Sequence, residues 1–146
     1  MSLTSIIPNK PSELILLALH DFKLAETSKE YTINMGKWHN PAFPEEKIHK
    51  CEVCFAGSVM AFSLGANINK YYEPDNFPRE ERKLRALEEF RNGQVDYGLD
   101  IFYTYEDITD YKSIDNYFFV PSYNVDKEGF HITMTKMADY LKKKGY

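Results

Sequence analysis

Cysteine is scarce in this chain, with two in 146 residues, and tryptophan scarcer still, with one. Two cysteines cannot build a disulfide framework, so the fold has to rest on an apolar core. Basic residues are also short, 18 Lys and Arg against 22 Asp and Glu, which leaves a formal charge of −4. Binding to a phosphate backbone is driven by counterion release and normally shows a basic excess, so nucleic acid is not an expected partner. Long apolar runs are missing too. The longest uncharged stretch, 53–69, is broken by Gly57, Gly65, Asn67 and Asn69, and falls short of the roughly 20 apolar residues a bilayer span needs. The opening "MSLTSIIPNKPSELI" has no basic segment followed by a long apolar core, so it does not read as a signal peptide. A soluble, cytoplasmic protein without a membrane partner is the expectation. Internal repeats, a P-loop, a dinucleotide fingerprint, G-x-S-x-G and H-E-x-x-H are all absent from the sequence.

What is present is ordinary globular material, 43% apolar and 27% charged, with eleven Tyr and ten Phe. That size and composition fit one domain over 1–146, mainly α, with a central buried helix and at most a minor β element. Pro11 and Glu13 suit a helix first turn, and Leu14, Leu17, Ala18, Phe22 and Ala25 recur at helical spacing as far as Thr27. Residues 31–49 alternate briefly and then meet Pro41 and Pro44, so an ordered loop with one short strand is expected, anchored by Trp38. Glu45 and Glu46 could start the central helix, which carries "KCEVCFAGSVMAFSLG". Its small residues Ala56, Gly57, Ser58 and Ala61 would let another backbone approach closely, and Gly65 would end it. "NFPREERKLRALEEFRNG" reads as a third helix with Leu84, Leu87 and Phe90 as its apolar seam, a Glu81–Arg85 pair and Gly93 as its stop. Residues 95–105 fit a short helix, with a strand and an α+β fold as the alternative. A buried turn is expected around Phe118 to Val120. A last helix should bury Met134, Met137, Ala138 and Leu141 and end on Lys142 to Lys144.

Three kinds of chemistry can be weighed. His39, His49, Cys51 and Cys54 are zinc-type ligands, and Cys51 to Cys54 is a C-x-x-C pair, yet the histidines are not the compact second pair of a strong zinc signature. The zinc nucleobase deaminase pattern fails, because "WHNP" lacks the catalytic glutamate and Lys50 stands where proline belongs. A thiol nucleophile at a helix start is the second kind. "CEVCFAGS" looks a little like the cysteine-bearing helix start of papain-like peptidases, with Cys54 as nucleophile and His131 as base. The residues after His131 read as helix, however, and the strands that would hold the base are missing. Packing is therefore the main reading for both sulfurs, with Cys54 in the apolar surface and Cys51 at its margin. Third, the acid pairs Glu45–Glu46, Glu80–Glu81, Glu88–Glu89 and Glu106–Asp107 read as solvated faces, and His20 beside Asp21 as a boundary histidine.

"MGKWH" at 35–39 followed by "CEVCFAGSVMA" at 51–61 resembles small uncharacterised proteins encoded by tailed phages and prophages, which share M-G-x-W-H and then C-x-V-C-x-A-G-x-V-M-A. The resemblance implies a phage accessory protein acting in the host cytoplasm, and it transfers no functional residue. The leading functional expectation is a non-enzymatic protein, without cofactor, that binds a host or phage protein, with a small homo-oligomer as a further possibility. Its candidate contact residues are Trp38, His39, Tyr97, Tyr103, Tyr105 and Tyr111. A zinc or reactive-thiol protein using His39, His49, Cys51 and Cys54 is the rival class. A binder of a small molecule or nucleotide beside the central helix is the third.

Overall fold

The computed structural model describes residues 7–40, 50–65, 77–103 and 118–146. The chain runs α1 (Pro11–Thr27), β1 (Tyr31–Ile33), β2 (His39–Asn40), β3 (Cys51–Val53), α2 (Phe55–Phe62), α3 (Phe77–Arg91), α4 (Val95–Phe102) and α5 (Lys127–Lys143). The fold is mainly α with a minor three-stranded sheet. Among the described residues, no helix is long and apolar enough to cross a membrane.

α1 forms where proline and an acid favour a first turn, and it buries Leu14, Ile15, Ala18, Leu19, Phe22 and Ala25 along one side. α5 lies antiparallel to it. Ser12 Oγ at the start of α1 donates to the backbone oxygen of Tyr146 just past α5 (2.6 Å), while Glu26 near the end of α1 meets His131 in the first turns of α5 (2.9 Å). α5 is capped by Asp126, whose carboxylate accepts the Gly129 N–H at 2.9 Å, and it buries Phe130, Met134, Met137, Ala138 and Leu141. The expected lysines close its last turn.

The middle of the chain departs from the expectation of one long central helix. Residues 51–53 are a strand, Cys54 is an extended N-cap with φ −96° and ψ −168°, and the helix begins only at Phe55. A buried apolar run of this length suits a buried strand or a buried helix equally in its periodicity, so pattern alone could not separate them. β3 is the centre of the sheet, parallel to β1 (Tyr31↔Cys51, Ile33↔Val53) and antiparallel to β2 (His39↔Val53, Asn40↔Glu52). The 31–40 region thus supplies two short strands instead of one. Cys51 and Val53 face the core and Glu52 the other side, the alternation a half-buried strand requires. α2 is buried on nearly every residue, as its composition suggested.

α3 carries its apolar seam at Leu84, Leu87 and Phe90, all fully buried, and the Glu81–Arg85 ion pair forms at 2.8 Å. Gly93, at φ +84°, makes the left-handed stop that glycine adopts without strain. The acids on this helix are not uniformly solvated. Glu80 is fully buried with the Lys83 ammonium 3.1 Å away, and Glu88 is half-buried. α4 settles the ambiguity at 95–102 in favour of helix, and the strand alternative does not hold. Val95, Leu99 and Phe102 share its buried face, and Gly98 lets the Phe90 ring come close enough that a Cβ there would stand 2.5 Å from Cε1. Past α4, the chain at 118–120 forms no turn, and Phe118 and Val120 are half-buried while Phe119 is exposed. Phe118 packs on Tyr140 (5.4 Å between rings) and donates its N–H to Gly93 O at 3.1 Å, while the next side chain, Phe119, is turned outward.

Candidate functional site

The two thiols belong to neighbouring elements with distinct jobs. Cys51 points into the core from β3 and is completely buried, so it does not sit at a margin. Burial, with the Glu52 carboxylate beside it, pushes its thiol up to about 12. Cys54 is the N-cap of α2, its Sγ accepting the Gly57 N–H at 3.3 Å. Its S–H faces Glu88 Oε1 at 3.5 Å, and Glu88 Oε2 is in turn gripped by the Arg91 guanidinium, through Nε at 3.1 Å and through the terminal nitrogen. Burial first, and then the Glu88 charge, push this thiol up to about 12, outweighing the help that the Gly57 N–H gives the thiolate. A helix start normally makes a cysteine more acidic. Here the carboxylate requires a proton on sulfur, so Cys54 is a donor in a structural chain of bonds joining α2 to α3.

His131 is not assembled with either thiol. Its Nε2 meets Glu26 Oε1 at 2.9 Å, and the Tyr123 hydroxyl donates to Glu26 Oε2 at 2.5 Å. Glu26 therefore clasps α1 to α5 and to the 121–125 segment. Burial, and then the bond to Glu26, raise the Tyr123 phenol well above its ordinary range. His39, on β2, is half-buried; its Nε2 is buried without a hydrogen-bond partner among the described residues, and desolvation lowers its pKa, which keeps the ring neutral at physiological pH. Among the described residues no group of three or more His, Cys, Asp or Glu side chains is placed to hold a metal ion. His49, the fourth ligand candidate, lies outside the described residues, as do Tyr105 and Tyr111.

Of the other contact candidates, Trp38 is half-buried and packs on the core, and its backbone carbonyl lies directly against Gly57 of α2. The close approach that the small residues of the central helix suggested is therefore made by the β1–β2 connection. Tyr103 is half-buried, with its ring 5.0 Å from Phe102 and 6.1 Å from Tyr146 and its hydroxyl donating to Asn9 O at 3.3 Å. Burial pushes its phenol up to about 12. Tyr97 alone among the described candidates is largely open, 55% exposed.

Two polar groupings were not legible in sequence, apart from the His20–Asp21 neighbours. Asp21, 2% exposed on α1, accepts the Ser63 hydroxyl at 2.5 Å and faces His20 Nδ1 at 3.1 Å. Serine, aspartate and histidine are the parts of a hydrolase triad, but here the carboxylate stands between the other two. The imidazole is bonded to the carboxylate and not to the hydroxyl, so His20 is not placed as the general base a triad requires. The second grouping lies on the outer side of the sheet, where Asn34 and Asn40 both donate to Glu52 Oε2, at 3.3 and 3.0 Å. Partners separated so widely in sequence leave no local signal.

Burial raises the Asp21 pKa despite the Ser63 and His20 bonds, which lower it. The sign follows directly. A carboxyl raised in the folded state favours folding while protonated, and that contribution is lost as pH rises through the folded value. Ionised Asp21 is thus a cost at neutral pH. Asp21→Asn is expected to raise the urea midpoint at pH 7, and the gain should vanish in acid, where Asp21 is itself neutral. A lowered midpoint at pH 7 would contradict this balance.

No protein-family model matches the chain, and no curated protein or solved structure matches it.

Proposed function

We propose that the chain is a phage-type accessory protein that works in the host cytoplasm by binding another protein rather than by catalysis. The observation that carries this reading is the pair of exposed aromatic rings where α4 begins. Phe119 is 80% exposed and Tyr97 55% exposed. The Phe118–Gly93 hydrogen bond ties their two segments together, with Phe119 the residue after Phe118 and Tyr97 in the first turn of α4. Large rings lose little conformational entropy on contact and are enriched at the cores of interfaces, while solvent gives them nothing to bury against. The chemistry-bearing side chains support the same reading from the other direction, because both thiols are buried, protonated and committed to packing or capping. The acidic balance favours a protein partner over a nucleic acid.

The test is a capture experiment from bacterial host extract, followed by affinity measurement with the purified partner. Tyr97→Ala with Phe119→Ala should leave the thermal midpoint within about 2 °C, since neither ring is buried. It should weaken the partner by about tenfold or more, as loss of interface aromatics does. Unchanged affinity in the double variant would assign the contact to another surface. Failure to capture any stoichiometric partner would remove the binding reading.

A further inference from the structure

The outer side of the sheet carries a carboxylate that is clamped at one oxygen and takes no hydrogen bond from the described residues at the other. Glu52 sits in the central strand, half-buried, with Asn40 opposite it in register on β2 and Asn34 just beyond the end of β1. Asn34 is locked before it reaches Glu52. Its N–H donates to Val53 O at 2.9 Å, its carbonyl accepts the Lys37 N–H at 3.0 Å, and its side-chain oxygen accepts the Gly36 N–H at 3.0 Å. That last bond fixes the amide orientation, so the Nδ2 end faces the carboxylate. Asn40 brings a second amide from the other flank, and both donate to Oε2. Oε1 takes no hydrogen bond from any described residue. Two lysines stand close in sequence, Lys37 in the β1–β2 connection and Lys50 two residues before Glu52, both exposed, and neither forms an ion pair with it.

A cluster whose only task was to tie three strands would be served by glutamine, or would spread its two donors over both carboxylate oxygens. Here the charge is kept, meets no counter-charge among the described residues, and is oriented by neutral donors from two flanking elements. Such a carboxylate has already lost its conformational freedom and part of its hydration. It is therefore ready to receive a charge-assisted hydrogen bond at Oε1. We propose that Glu52, positioned by Asn34 and Asn40, is the receptor for a basic side chain, an arginine guanidinium or lysine ammonium, presented by the protein partner. This rests on the protein-binding reading and names the chemistry of a second contact on that partner.

The experiment is a titration of the full-length, isotopically labelled chain with N-acetyl-arginine amide, read by the side-chain amide signals of Asn34 and Asn40. Wild type should show saturable shifts of both amides. Glu13→Gln, an exposed acid on α1 changed by the same unit of charge, should behave as wild type. Glu52→Gln should bind about tenfold more weakly at an unchanged thermal midpoint. Absence of saturable shifts in wild type overturns the proposal, as do equal shifts in wild type and Glu52→Gln. A midpoint that falls with Glu52→Gln while the titration stays the same would assign the cluster to strand pairing and also overturn it. Because the probe is a small molecule, these results are independent of the capture experiment. Unchanged partner affinity on removing the Tyr97 and Phe119 rings, with an intact titration, would fault the aromatic surface and leave the Glu52 receptor standing.

Discussion

Gly57→Ala is expected to be the most damaging single-methyl substitution in the chain. A Cβ at position 57 would overlap the carbonyl oxygen and carbon of Trp38 outright and stand 3.1 Å from its Cα. The obstacle is backbone, so no side-chain rotation can relieve it. Either α2 retreats from the β1–β2 connection or that connection lifts off the core, and both uncover apolar surface that the native state buries. Overpacking that cannot relax belongs to the small class of substitutions that cost about 4 kcal/mol or more. For a chain of this size that corresponds to a drop in the thermal midpoint on the order of 10 °C or more. The sole tryptophan reports the event locally. In the variant its emission should shift to the red, as the half-buried indole gains water, at denaturant concentrations where the helical signal of α1 and α5 persists. A variant within about 1 kcal/mol of wild type, with unchanged emission, would mean that the Trp38–Gly57 contact is not made.

Phe22→Ala should rank next. The ring is fully buried on α1 and stands at the hub of an aromatic cluster: Tyr123 at 4.9 Å, Phe55 at 5.6 Å, Phe130 at 5.7 Å and His131 at 5.7 Å between ring centroids. The pairs with Phe55 and Tyr123 are edge-on, at 81° and 73°, the arrangement in which a ring edge meets a neighbour's π face. Truncation removes the buried area and leaves a cavity that four separate elements border, so collapse is limited. A loss of about 3–5 kcal/mol in urea unfolding is expected. Phe22→Leu, which fills most of the volume, should cost about a third of that. The damage should spread along the Glu26 clasp, because Tyr123 rests on the Phe22 ring while donating to Glu26. Backbone amides at 122–126 should therefore exchange faster in Phe22→Ala than those of α3. If the loss were below about 1.5 kcal/mol, Phe22 would not be the hub of the core.

The parts of this fold that were legible in sequence are those governed by local periodicity. Leu14, Ala18, Phe22 and Ala25 announce α1, and Met134, Met137, Ala138 and Leu141 announce α5, because a helix repeats its buried face within the chain itself. The Trp38 anchor and the small residues around Gly57 were each visible. Their mutual contact was not, since nothing local pairs a loop carbonyl with a glycine on a later helix. β3 was hidden for a different reason. A three-residue strand is too short to display alternation against the apolar run that follows it, and what separates it from α2 is the capping geometry at Cys54. The candidate site was less legible than the fold. His39 and the two cysteines were singled out by residue type, whereas Glu52 with its amides, Asp21 with Ser63, and Glu26 with His131 and Tyr123 are tertiary meetings. In sequence they looked like scattered polar residues.

The claim on which the rest depends is that both sulfurs are interior, protonated and occupied with structure. The rate of alkylation by iodoacetamide at pH 7, measured separately for Cys51 and Cys54 by peptide mass, tests it most directly. If the account is right, both react in native protein at least about a hundredfold more slowly than in urea-denatured protein, because reaction waits for an opening of the β3–α2 core. A native rate equal to or above the denatured rate at either cysteine would contradict it, and would return that thiol to the list of reactive groups.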